Sequence, residues 1–199
     1  MADAPDTRSH LLACARDLYL EHGMSGFSMR KVAQRAGLSA TAIYRHYDSK
    51  EALITAVTEE GFVQFANYLW RGLAGTTPLD RLRAAGEGYL RFGVEQSPYY
   101  RIIFMSAAEE LGFECMPETL QRKAEPTFQF LVDRVRECID AGDMVADDPV
   151  ELAATIWAFS HGLVSLWLSG QMSSRFSSPD HYAVFYARAQ ERLLRGLRP

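Results

Sequence analysis

Apolar positions recur every three to four residues through most of the 199-residue chain, and capping residues break that rhythm repeatedly. Thr7 to His22 sets Leu11, Leu12, Ala15, Leu18 and Tyr19 on one face, and Gly23 predicts its stop. Ser28 predicts the cap of a short helix from Met29 to Arg35, closed by Ala36-Gly37; Ser39 predicts the cap of another running to about Tyr47. Asp48-Ser49-Lys50-Glu51 reads as a capping box that opens a long helix toward Leu73. Thr77-Pro78, Ser97-Pro98, Asp148-Pro149 and Ser178-Pro179 each place a cap before a proline, which predicts four more helix starts. Pro126 predicts a kink or a break between Pro117 and Ala141. No run alternates with the period of a strand. The expectation is an all-α chain of about nine or ten helices, with a small N-terminal three-helix unit. Its fourth helix, ending before Gly75, is shared with a larger C-terminal part.

Composition narrows the class. At 48% hydrophobic and 23% charged residues, the chain has the means to build a core and is neither disordered nor fibrous. Its longest apolar run, Leu152 to Leu168, is interrupted by Thr155, Ser160, His161 and Ser165 and is short of the ~20 residues of a membrane span. The N-terminus carries Asp3 and Asp6 and no apolar leader, so neither secretion nor a membrane partner is expected. Cys14, Cys115 and Cys138 lack metal-ligand spacing, and reduced thiols in a cytoplasmic protein account for them. Charge is unevenly placed. Ser28 to Lys50 holds five basic residues against one acidic, so a chain of net charge −4 carries +4 there and −8 elsewhere.

That basic stretch has the layout of a helix-turn-helix. Ala33, Ala36 and Gly37 supply close approach and the turn, and Val32, Leu38 and Ile43 are spaced to form an inner core. In the second helix, small residues such as Ala40 permit approach to base edges, while Thr41, Tyr44, Arg45 and His46 offer donors to bases or phosphates. Lys50 opens the next helix, where its charge and the helix N-terminus both attract a phosphate. Spacing alone leaves a second reading open. A turn between two short helices also occurs in proteins that bind nothing, with Tyr44 and Tyr47 packing and His46 a surface histidine.

The run from Phe27 to Leu53, with Leu38-Ser39, Ile43-Tyr44-Arg45-His46-Tyr47 and Ser49-Lys50-Glu51 inside it, resembles the signature of the TetR (tetracycline-repressor-like) family. Leu18-Tyr19 and His22-Gly23 before it fit the same pattern, and the resemblance covers about residues 7–60. It implies a homodimeric, all-helical, ligand-responsive transcription repressor on double-stranded DNA with a palindromic operator. It carries over Ser28, Ser39, Thr41, Tyr44, His46 and Lys50 as DNA contacts; Arg45 joins them on its chemistry, and Ala40 by its size. The implied organisation is an N-terminal tail over 1–6, a DNA-binding domain over 7–53 with its motif at about 28–47, and a ligand-binding and dimerisation domain over 54–199.

In the C-terminal part, Ile156-Trp-Ala-Phe-Ser-His-Gly-Leu163 and Tyr100-Arg-Ile-Ile-Phe104 resemble one subgroup of the family, the one with a Trp…His-Gly segment. This implies a helical ligand chamber and two last helices paired across a twofold axis. The interface candidates are Leu163, Trp167, Tyr182, Phe185, Tyr186, Ala189 and Leu193. The chamber candidates are Phe62, Phe65, Tyr68, Leu69, Tyr89, Phe92, Phe104, Met105, Phe128, Trp157, Phe159 and His161, although an aromatic stripe at helical spacing equally describes plain core. Acidic residues are few on these faces, Glu87 and Glu109 being possible exceptions, which points to a small, largely apolar effector of unknown identity. Nucleophile elbow, zinc-binding histidine pair and phosphate loop are all missing from the sequence, so no enzyme, cofactor or metal is expected. The rival reading is a helical small-molecule-binding protein, or a regulator without an effector.

Overall fold

The computed structural model describes residues 7–199, and the expected tail at 1–6 lies outside them. Nine α-helices and no strand occur among the described residues: α1 (Thr7–Gly26), α2 (Met29–Arg35), α3 (Ala40–Ile43), α4 (Lys50–Trp70), α5 (Pro78–Glu95), α6 (Ser97–Tyr100), α7 (Glu118–Asp140), α8 (Pro149–Leu168) and α9 (Pro179–Gly196). Short 3₁₀ turns follow at Arg71–Ala74 and Glu109–Leu111, and a single π-type turn spans Arg101–Met105.

Local chemistry explains most boundaries. Gly23 leaves the helical region at φ 59°, so α1 breaks there before its last residues. The side chains of Ser28, Ser39, Thr77, Asp148 and Ser178 each accept a backbone N–H in the first turn of the helix that follows. Three expectations need correction. The helix after Ser39 ends at Ile43, and the chain continues to Tyr47 as tightening turns in which the Arg45 amide reaches Ala42 O and the amides of His46 and Tyr47 both reach Ile43 O. The cap of α4 is Ser49, whose hydroxyl accepts the Ala52 amide at 3.1 Å. Of the two outcomes expected at Pro126, the break does not occur, and α7 runs as one helix from Glu118 to Asp140 with the proline inside it. One lost hydrogen bond there is outweighed by the buried face beyond it, Phe130, Val132, Val135 and Cys138.

Two compact units emerge, and neither is contiguous in sequence. The first takes the chain up to Phe62 together with Pro98–Arg122, and the second takes Val63–Ser97 with Lys123–Pro199. The first unit buries Leu11, Val32, Ile43, Leu53 and Val57 from its N-terminal helices with Tyr100, Ile102, Leu111 and Leu120 from the later segment. In the second unit, Leu82 of α5, Val132 and Val135 of α7, Ile156 of α8 and Leu194 of α9 share one cluster. Two glycines let its helices approach. A Cβ on Gly88 would stand 2.5 Å from the Tyr68 carbonyl oxygen, and one on Gly86 would stand 2.3 Å from the Gln190 amide oxygen. That amide is buried and donates to Ser160 Oγ at 3.1 Å and to Tyr186 Oη at 2.9 Å.

Candidate nucleic-acid interface

The helix-turn-helix stands on a rigid base. Val32, Ala33 and Ile43 are essentially inaccessible, and Leu38 is half-buried at the turn. Gly37 makes that turn at φ 70°, a conformation that disfavours any side chain, while the Leu38 amide closes α2 onto Ala33 O at 2.8 Å. Ser28 Oγ accepts from Lys31 N at 3.3 Å and Ser39 Oγ from Ala42 N at 3.2 Å. Both serines are therefore occupied as caps, and only their hydroxyl protons remain for a phosphate.

Ala40, Thr41, Tyr44 and Arg45 lie exposed along one side of α3 and its continuation, with Tyr44 52% accessible despite its aromatic ring. His46 is half-buried beside them, and Tyr47 turns inward. Burial thus separates the two tyrosines that the sequence left open, one for the surface and one for the core.

The basic stretch is less available than its count of charges implies. Arg35 is held by Glu21 through two hydrogen bonds of 2.7 and 2.6 Å, and this partner holds the Glu21 carboxyl below the usual range. Lys31 Nζ donates to Gly26 O at 2.8 Å. Lys50, in the first turn of α4, donates to Met24 O at 3.0 Å and lies 5.7 Å from the centre of the Phe27 ring. Arg30 and Arg45 are exposed and have no side-chain partner among the described residues. Arg30 sits in the first turn of α2, where no acidic residue offsets it and the helix dipole opposes a cation. Arg30 is one of the five basic residues of that stretch and is not among the contacts that the sequence predicts; its place against the helix dipole is a signal the sequence carries.

Residues 11–57 match the family model described as bacterial regulatory proteins, tetR family, and residues 82–192 match that of the tetracyclin repressor-like C-terminal domain. The second match alone covers more than half of the chain. The chain belongs to the tetracycline-repressor family. It is 33% identical over 100 residues to the HTH-type transcriptional activator FasR of Mycolicibacterium smegmatis, an alignment covering 50% of this chain and 46% of that protein. The chain thus spans about half the length of that relative. With the HTH-type transcriptional regulator AcrR of Shigella flexneri it shares 26% over 177 residues, covering 86% of this chain and 82% of the other. A solved structure of a protein of unknown function from Rhodococcus sp. RHA1 superposes with a TM-score of 0.80 at 24% identity, covering 100% and 98% of the two chains, and shows the same fold.

In this member of the tetracycline-repressor family, the chamber candidates fall into two groups. Phe65, Tyr68, Tyr89, Phe92, Phe128, Trp157 and His161 form one continuous series in the second unit. Phe65 stacks edge-on to Tyr89 at 5.5 Å and tilts toward Phe92 at 5.1 Å; Tyr68 meets Phe92 at 5.7 Å, and Phe128 meets Trp157 at 6.1 Å. The Tyr89 hydroxyl is the polar centre of the series, accepting from Trp157 Nε1 at 3.3 Å and lying 3.2 Å from His161 Nδ1. His161 Nε2 is 3.3 Å from Ser165 Oγ. One proton order satisfies all three contacts: Trp157 to Tyr89, Tyr89 to His161 Nδ1, and His161 Nε2–H to Ser165. Burial lowers the His161 pKa, which keeps the ring neutral in that role. Phe62 and Phe104 pair in the first unit, 6.4 Å apart, and Met105 ends the π-type turn half-buried. Glu87 and Glu109, the suspected acidic intruders, are exposed.

The interface candidates also divide. Tyr182, Tyr186 and Ala189 lie inside the chain's own core, so no partner can cover them. Tyr182 donates to Leu163 O at 2.7 Å and stacks on Trp167 at 4.5 Å, while Tyr186 donates to Gly86 O at 3.1 Å. Leu163, Trp167, Phe185 and Leu193 are half-buried. On α8 the small residues Ala154 and Ala158 are open and Gly162 is half-buried one turn on, while Val150 and Trp157 are exposed as well. On α9, Ala183, Val184 and Ala187 are open. A Cβ on Gly162 would meet nothing within 4 Å.

Proposed function

We propose that the chain is a repressor that binds a palindromic operator as a homodimer and is released by a small, largely apolar effector. The observation that carries the reading is the exposed row Ala40, Thr41, Tyr44 and Arg45, mounted on capped helices and flanked by Arg30 and Lys50. Exposing an aromatic ring and two uncompensated arginines has no folding benefit, and it suits phosphates and base edges in a major groove. The open faces of α8 and α9 supply the twofold contact, because small residues let helices from two chains approach closely. Two reading helices roughly 34–36 Å apart then match successive major grooves. The aromatic series around Tyr89 supplies the effector's surroundings, apolar with one neutral hydrogen-bonding centre. The relatives' printed names are those of regulators, which supports a role in transcription over catalysis.

Fluorescence anisotropy with the DNA flanking the protein's own gene, against a scrambled duplex and across a salt series, tests the reading. Selective binding at physiological salt is the expected result. Equal binding to both duplexes that vanishes with salt would remove operator recognition on that DNA and favour a ligand-binding protein that has kept the fold.

A further inference from the structure

We infer that Tyr99 is a positioning residue for DNA reading, its hydroxyl latching α1 to α4 through the segment that begins at Pro98. The inference rests on the DNA-binding role proposed above.

Three elements meet at this hydroxyl. Arg16 of α1 donates to it from Nη1 at 3.3 Å, and its guanidinium lies 5.0 Å from the centre of the Tyr99 ring. The hydroxyl donates to Glu60 Oε2 of α4 at 2.5 Å. Tyr99 is only 4% exposed and both bonds are part-buried, which limits the access of water to them. Burial and the Glu60 carboxylate both raise the Tyr99 pKa strongly, which keeps the proton on the oxygen and the latch closed. Packing reinforces the geometry. A Cβ on Gly61 would stand 2.9 Å from Ile103 and 3.3 Å from the Tyr99 ring, so α4 is cradled by the inserted segment one residue beyond Glu60. Tyr19 of α1 donates to Ser106 Oγ at 3.0 Å, just past the π-type turn.

The latch matters for reading because of what holds the other end of these helices. Lys50 at the start of α4 bonds Met24 O at the end of α1, and Glu21 of α1 holds Arg35 of α2. Burial of Leu53 and Val57 holds α4 against the core but is non-directional, so with Lys50 as its polar pin α4 keeps room to swing against α1. Ten residues separate Lys50 from Glu60, about 15 Å along a helix, and a second pin at that distance removes the swing. The first pin is also the phosphate-binding candidate, so any swing misplaces Lys50 against the helix-turn-helix. The segment enters the first unit at Pro98 and leaves at Arg122, with residues of the second unit before and after it in the chain.

Tyr99→Phe keeps the ring and removes only the hydroxyl. The expected result is operator affinity about threefold or more weaker, in line with losing hydrogen bonds to charged groups, with the slope of log affinity against log salt unchanged because no phosphate contact is lost. Amide hydrogen exchange should accelerate in the middle of α1 and across 98–106. Glu60→Gln still offers an oxygen to the hydroxyl and should stay closer to wild type than Glu60→Leu. Affinity equal to wild type, unchanged exchange, or equal losses in the two Glu60 variants would each overturn the latch. If the wild-type protein selects no duplex, the DNA-binding reading fails by itself, and the exchange comparison still decides whether Tyr99 holds α1 to α4.

Discussion

Lys50 and Arg30 illustrate how far a single side chain can be read. An ammonium has three donors, and Met24 O takes one of Lys50's, which orients the other two without neutralising the charge. Arg30 has no such anchor among the described residues. Lys50→Ala and Arg30→Ala are each expected to weaken binding to all duplexes alike and to lower the salt slope by about one unit, as the loss of one phosphate contact does. A slope equal to wild type in either variant removes that residue from the phosphate contacts. Arg35 marks the limit of counting charges. It belongs to the same basic stretch, yet its guanidinium is bound bidentately to Glu21, and no arrangement of neighbours along the sequence announces a partner fourteen positions away. Tyr44 and Tyr47 make the same point, since only the packing of the turn decides which ring is covered.

At the scale of elements, the close crossing of α4 and α5 turns on Gly88. Its missing Cβ would stand 2.5 Å from a backbone oxygen of Tyr68, which no rotamer change can move aside. Gly88→Ala gains about 1 kcal/mol of helix propensity but forces two helices apart, an overpacking cost of about 1–3 kcal/mol. A fall of several degrees in the thermal midpoint is expected, and a midpoint at or above wild type would show that the crossing tolerates a methyl group. Helix starts were legible because a cap acts within three residues: Ser28, Ser39, Thr77, Asp148 and Ser178 all do what their neighbours imply. Helix ends and continuity were less so. Pro126 is a local signal for a break, and it is overruled by the burial of Phe130, Val132 and Val135, whose partners lie on other helices. The shortening of α3 likewise reflects Tyr47 turning into the core, which pulls the last residues of the expected helix into tighter turns.

At the scale of the whole molecule, the surface available to a second copy is the least legible feature. Large aromatic residues on α9 promise an interface, but Tyr182 and Tyr186 spend themselves on the chain's own interior. Alanine gives almost no hydrophobic signal, and only the burial of Leu152, Ala153, Ile156 and Ser160 shows that Ala154 and Ala158 are left open on α8 together with Trp157. Ala158→Arg, exposed in the single chain, should leave the fold intact and shift the species seen by sedimentation from dimer to monomer, with operator affinity falling in step. A variant that remains dimeric places the contact elsewhere. The discontinuity of the first unit has a different consequence, for inheritance. Its core is completed by Tyr99, Tyr100, Ile102, Leu111 and Leu120, which the gene encodes after the start of the second unit. A single crossover that joined the reading helices of one relative to the remainder of another would separate these residues from the surfaces they evolved to fill. Exchange between relatives therefore keeps this core whole only when both of its stretches, the one up to Phe62 and Pro98–Arg122, travel together.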